Sequence, residues 1–105
     1  MENFILVNPR YSKELMILYK FEASWCNPCK QLARTLANNV DPSISSLVKV
    51  IDVDSEDPLI EKYNIRNVPV LLFVNDEGTE LGRLVGAINA KAITDKYNSL
   101  LNSDN

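Results

Sequence analysis

Near position 25 the hydrophobic pattern of the chain changes from that of a strand to that of a helix. The only two cysteines in its 105 residues sit at the change. Leu15 to Phe21 reads LMILYKF, an apolar run broken by one lysine. That is the pattern of a strand buried on both faces. Further on, Leu32, Ala33, Leu36, Ala37 and Val40 recur at helical spacing, with Lys30, Gln31, Arg34, Thr35, Asn38 and Asn39 on the opposite face. This is an amphipathic helix. Trp25-Cys26-Asn27-Pro28-Cys29 therefore falls where a strand hands over to a helix N-terminus, and Pro28 suits the first turn, where its missing N–H costs nothing. A buried strand feeding directly into an amphipathic helix commits the chain to a layered α/β arrangement.

Two cysteines with two residues between them can close a short disulfide and reopen it. The same spacing also serves zinc sites. A zinc site built from thiolates and imidazoles needs about four ligands. This chain has no histidine and no third cysteine. It cannot complete such a site alone, so no metal is expected and thiol–disulfide chemistry stands in front. Free backbone N–H groups and the helix dipole point at the junction. They favour a thiolate, which is the nucleophilic form. Cys26 precedes the helix and is expected to be exposed; Cys29 lies in the first turn and is expected to be covered. The plainer alternative is a buried pair without chemistry.

The other segments alternate. Phe4 to Val7 reads as a short strand and Asn8 to Glu14 as a turn or short helix. Leu47 to Val53 reads as a second near-continuous apolar strand. Asp57-Pro58 is a helix start, with the acid as cap and proline at the first position, and that helix ends near Asn64. Val68 to Val74 and Thr79 to Val85 flank Asn75-Asp76-Glu77-Gly78 as a hairpin. Asn89 caps a last helix with Ile93, Tyr97, Leu100 and Leu101 as its apolar stripe. Ser103-Asp104-Asn105 is expected to fray. The acids Asp52, Asp54, Glu56, Asp57 and Glu61 read as a solvated strand end and helix start.

Length and composition set the class. One domain over residues 1–105 is expected, with a single core. Apolar residues at 46% and charged residues at 24% are ordinary globular usage. A net charge of −3 argues against nonspecific nucleic-acid binding. No stretch approaches the ~20 apolar residues of a membrane span. The N-terminal MENFILVNPR lacks the basic start and long apolar core of a signal peptide. Cysteines confined to one motif suit a reducing compartment, so a cytoplasmic location is expected.

At this point the residues resemble the thioredoxin family, over about Asn3 to Leu101. WCNPCK at 25–30 is similar to the family's W-C-G-P-C-K. Asn67-Val68-Pro69-Val70 is similar to its cis-proline loop, and Val85-Gly86-Ala87 to the glycine that closes its substrate surface. Asp52-Val53-Asp54, Pro58 and Tyr63-Asn64-Ile65-Arg66 resemble its third strand and following helix. The resemblance implies a central mixed sheet of about five strands with helices on both faces. It implies a protein-disulfide reductase working through a Cys26/Cys29 dithiol–disulfide couple. Trp25, Asn27, Pro28, Val68, Pro69 and Gly86 would shape the substrate site. Val68 before a cis-Pro69 would offer backbone hydrogen bonds to a substrate chain, whereas local preference alone makes that bond trans. Trp25 is either core or a partly exposed wall of the docking surface. The implied partners are disulfide-containing proteins and a thioredoxin reductase, with the disulfide as the redox group, no bound cofactor and a monomeric protein.

The chain departs from the family pattern at four places. Lys20 stands where the family carries a buried acid, and the lysine partner of that acid aligns with Val50, beside Lys49. Arg34 stands at the helix-kink proline, which implies a straighter helix. Asn27 replaces the glycine of the motif. Glu22, two positions after Lys20 on the same face, is a natural partner for it. Lys20 either lays its stem along apolar surface with its amine in water or sits beneath Cys29 and tunes it. Two other functions fit the spacing: a glutaredoxin-like, glutathione-dependent oxidoreductase, and a non-catalytic binding subunit using the same fold.

Overall fold

The computed structural model describes residues 15–102. Four strands and four α-helices run in chain order: β1 (Ile17–Glu22), α1 (Asn27–Asn38), α2 (Pro42–Ser45), β2 (Val48–Asp52), α3 (Pro58–Lys62), β3 (Val70–Val74), β4 (Glu80–Val85) and α4 (Ala90–Leu101). A single 3-10 turn, Val53–Ser55, follows β2. The strand and turn expected over Phe4 to Glu14, and the expected fraying at Ser103 to Asn105, lie outside the described residues.

The sheet order is β2-β1-β3-β4. β1 pairs parallel with β2, with Lys20 opposite Val50, and antiparallel with β3, with Lys20 opposite Leu71. β3 and β4 form the antiparallel hairpin. The sheet is therefore mixed, with four strands among the described residues against about five expected; the remaining one was expected at Phe4 to Val7. A parallel neighbour needs a crossover, and α1 and α2 supply it.

Every residue of β3 is buried, as its unbroken VLLFV run requires of a strand with neighbours on both sides. Helices cover both faces. Met16, Leu18, Leu71 and Phe73 meet Leu32, Leu36 and Ile93 on one side. Phe21, Val70, Leu72 and Val74 meet Tyr63, Leu59 and Ile60 on the other. Even-numbered residues of β1 thus face α1, and odd-numbered ones face α3. In α1 the buried row is Cys29, Leu32 and Leu36, continued by Val40 beyond the helix end. Ala33 and Ala37, expected on the buried face, are exposed. A helix on a flat sheet buries one narrow row at spacings of three and four, and the residues beside that row stay open. β2 also differs from expectation. It is not continuously buried: Val48 and Ile51 are half-buried, while Lys49, Val50 and Asp52 are exposed.

Side-chain caps fix the helix starts. Asp57 Oδ1 accepts the Leu59 N–H at 2.9 Å and Asn89 Oδ1 accepts the Ala92 N–H at 2.8 Å. α2 was not foreseen, although Asp41-Pro42 carries the same signal as Asp57-Pro58: Asp41 Oδ1 accepts the Ser43 N–H at 2.8 Å. The hairpin turn closes as expected. Asn75 Oδ1 accepts N–H groups from Glu77 and Thr79, both at 2.9 Å. Gly78 takes φ +83°, a left-handed conformation that glycine adopts without a Cβ clash.

Candidate active site

After β1 ends at Glu22 the chain turns tightly, and the Cys26 N–H donates to the Ala23 carbonyl at 3.1 Å. Cys26 is the cap residue of α1, in extended conformation. Its Sγ accepts the backbone N–H of Cys29 at 3.1 Å. A sulfur thus occupies the place where helices otherwise use serine, threonine or aspartate. Negative charge on that sulfur is favoured by the N–H bond and by the positive end of the helix dipole. Cys26 and Cys29 are joined as a disulfide, with Cα atoms 5.3 Å apart.

Cys29 is 2% exposed, as expected of a residue inside the first turn. Cys26, expected to be exposed, is only 4% exposed. Ala23, Val53 and Val68, from three different loops, close around the two cysteines. That enclosure comes from contacts distant in sequence, which the motif does not carry. Asn27 and Pro28 remain exposed on the outer side of the first turn.

Trp25 stands outside the core at 68% exposure, so it is not a core residue. Its indole N–H donates to Asp54 Oδ2 at 3.1 Å. Asp54 is held in turn, because its own N–H donates to Asp52 Oδ1 at 2.9 Å. Sequence reasoning took Asp54 for a solvated acid; nothing local to it signals a partner 29 residues away. The Val68-Pro69 bond is cis, Pro69 is fully buried, and its carbonyl accepts the Gly86 N–H at 3.1 Å. Gly86 has φ +86°. Trp25, Cys26, Cys29, Val68, Pro69 and Gly86 are thus drawn from three separate stretches into one region. Beside the pair lies an open cavity of about 330 Å³, lined by Trp25, Val53, Ile65, Arg66, Asn67 and Val68.

Lys20 is the one buried charged residue among those described, at 4% exposure. Its Nζ pairs with Glu22 Oε1 at 2.8 Å, the partner expected from strand period. The amine does not snorkel to water: the pair sits on the α1 face of β1, which leads into the cysteine motif.

A thiol–disulfide pair at a strand-to-helix junction beside a cis-proline loop defines a protein class, and the comparisons with known proteins agree. A family model described as Thioredoxin matches residues 6–99. The chain is 40% identical over 77 residues to "Thioredoxin C-2" of Corynebacterium nephridii, covering 70% of this chain and 68% of that protein. It is 35% identical over 72 residues to "Thioredoxin H-type" of Oryza sativa subsp. indica, covering 69% of this chain but 58% of that protein's own length. Among solved structures, a poplar thioredoxin h superimposes with a TM-score of 0.69 at 33% identity, covering 84% of this chain and 78% of that one. A mutant thioredoxin of Halobacterium salinarum superimposes with a TM-score of 0.67 at 29% identity, covering 96% and 88%. The chain belongs to the thioredoxin family. Its Cys26–Cys29 disulfide is the redox group of a thiol–disulfide oxidoreductase.

Proposed function

We propose that this chain reduces disulfide bonds in protein substrates by a two-step exchange, with Cys26 as nucleophile and Cys29 as resolving thiol. Reduced Cys26 attacks one substrate sulfur. A Cys26–substrate bond forms, the substrate disulfide breaks, and the second substrate sulfur leaves as a thiolate. Cys29 then attacks Cys26 Sγ, which closes the intramolecular disulfide and releases the reduced substrate. Two electrons pass to the substrate, and a thioredoxin reductase restores the dithiol. No bound cofactor takes part.

The observation that carries this assignment is the Cys29 N–H donated to Cys26 Sγ at the helix start. Among the described residues a backbone donor is aimed at the Cys26 sulfur and none at that of Cys29, so Cys26 is the better thiolate and Cys29 the second attacker. Asn27 and Pro28 on the outer turn, Trp25 on one side and Val68, Pro69 and Gly86 on the other frame the region a substrate strand would cross. An extended peptide there can hydrogen-bond to the Val68 backbone with little dependence on its sequence. Cysteines confined to the motif support a reducing, cytoplasmic setting for a monomer that contacts neither nucleic acid nor membrane. Among the described residues no helix is long and apolar enough to cross a bilayer.

Insulin reduction driven by NADPH and thioredoxin reductase tests the assignment. Cys26→Ser should abolish turnover, and Cys29→Ser should accumulate a covalent mixed disulfide visible by mass spectrometry. Turnover with glutathione and its reductase alone would replace this assignment with the glutathione-dependent one.

A further inference from the structure

A second cavity meets the cysteine motif and shares no lining residue with the one beside Trp25. It holds about 290 Å³ and lies between α1 and the segment that joins β4 to α4. Pro28, Gln31, Leu32 and Thr35 form one wall. They fall at helical spacing on one face, so this wall follows α1 for about 10 Å. Ala87, Ile88 and Asn89 form the other wall. Both walls begin at the substrate site, since Pro28 lies between the cysteines and Ala87 follows Gly86. Leu32 and Ile88 belong to the core, at 1% and 9% exposure, so the floor is apolar and fixed. The two-step exchange gives this cavity no task.

The rim is polar and one-sided in its chemistry. Gln31 Oε1 accepts from Arg34 Nη2 at 2.9 Å. Asn89 Oδ1 accepts the Ala92 N–H at 2.8 Å. Each amide has its oxygen engaged, so what each offers a ligand is its NH2 group, a double donor. Both residues are exposed, within reach of an incoming chain. The half-buried Thr35 adds a hydroxyl that can donate as well. Arg34 brings a positive charge to the Gln31 side of the rim, and among the described residues no carboxylate lines the cavity. Acids gather elsewhere: Asp54 holds the Trp25 indole, and Glu56, Asp57 and Glu61 line a separate cavity with Val53 and Ile65.

We propose that this cavity is a specificity subsite for an acidic side chain of the protein substrate, a glutamate or aspartate a few residues from the reacting cysteine. The subsite rests on the two-step exchange above and decides which disulfides that exchange favours. The methylene groups of the side chain cover Leu32 and Ile88, and its carboxylate accepts from the Gln31 and Asn89 amides. A carboxylate suits this rim better than a neutral acceptor, because charge-assisted hydrogen bonds are the stronger ones. A lysine or arginine would set donors against donors. Backbone pairing at Val68 tolerates many sequences, so discrimination between substrates falls to side-chain pockets such as this one.

The test uses disulfide-linked peptides that carry a single glutamate at successive positions either side of the cysteine, each matched by the same peptide with glutamine. The second-order rate constant for mixed-disulfide formation is measured with the reduced protein. At one or more positions glutamate should be preferred by about fivefold, the worth of one net hydrogen bond. Gln31→Glu and Asn89→Asp keep the bonds to Arg34 and Ala92 but replace the NH2 donor with an acceptor. Each should abolish or invert the preference. Gln31→Met removes the donor without adding charge and should lower it. Taking the glutamate-to-glutamine ratio within each variant cancels any change in folding or in cysteine reactivity. A protein that shows no preference at any position overturns the subsite, as does a preference that survives Gln31→Glu and Asn89→Asp. A preference kept in those two variants and lost in Arg66→Gln puts the acid in the cavity beside Trp25 and overturns it too. Full retention in Gln31→Met, with loss only in the charged variants, means a long-range charge effect and no bound side chain. If the unsubstituted protein reacts with none of the peptides, the exchange itself fails and the subsite with it.

Discussion

Trp25 and Asp54 show how much one hydrogen bond between exposed groups can organise. Trp25 is the only tryptophan, so tryptophan fluorescence reports on this position. Asp54→Ala removes the acceptor and frees the ring. A net hydrogen bond to a charged group in an exposed setting is worth about 1 kcal/mol, so KM for a protein disulfide should rise about three- to fivefold. The anisotropy of Trp25 emission should fall, and global stability should fall by no more than about 1 kcal/mol. Unchanged anisotropy would show that the ring is held by something else. Gly86 makes a different kind of point. A Cβ placed there meets no atom within 4 Å, yet its φ is +86°. Gly86→Ala should therefore cost about 1 kcal/mol from backbone conformation alone, read as a shift in the urea midpoint. It should cost nothing from crowding.

The helices are held at their starts. Asn89→Ala removes the acceptor for the Ala92 N–H and should lower stability by about 1 kcal/mol, while Asn89→Gly should cost less. Urea unfolding of the two variants checks that order. The hairpin is tied to α3 from the side: Arg83 Nη2 donates to the Tyr63 carbonyl at 2.8 Å, and the same guanidinium grips both oxygens of Glu80 at 2.7 and 2.8 Å. The hydrogen bonds from Arg83 hold the Glu80 carboxyl below the usual carboxylate range. A depressed folded-state value means the contribution is present above the unfolded value, near pH 4.3, and is lost as pH falls through the folded one. The pair is partly solvated and contributes no more than about 1 kcal/mol. Glu80→Gln should be less stable than the unsubstituted chain at pH 7 and indistinguishable from it near pH 2. A difference that persists in acid would mean the carboxylate charge is not the cause.

In the whole molecule, stability is concentrated in the central strand. Phe73 on β3 is fully buried. Phe73→Ala should cost about 3–5 kcal/mol, a large share of the 5–15 kcal/mol typical of a domain. Val50→Thr on the exposed edge should stay within about 0.5 kcal/mol. Thermal or urea unfolding separates the two directly. The sequence by itself determined what depends on a few consecutive residues: the β1-to-α1 handover at the cysteines, the Asp57 and Asn89 caps, the Asn75–Gly78 turn and the continuous burial of β3. Each follows from local backbone preference or from period two against period 3.6. The Lys20–Glu22 pairing was legible for the same reason, since two residues on one strand share a face. Family resemblance, rather than local preference, pointed to the cis bond before Pro69. Only the tertiary structure decided that Cys26 is covered, that Asp54 holds Trp25, that Ala33 and Ala37 stay open, and that Lys20 is sealed beneath α1. Those outcomes depend on which loops and helices meet across the sheet, and burial is a property of the neighbours a residue acquires rather than of the residue.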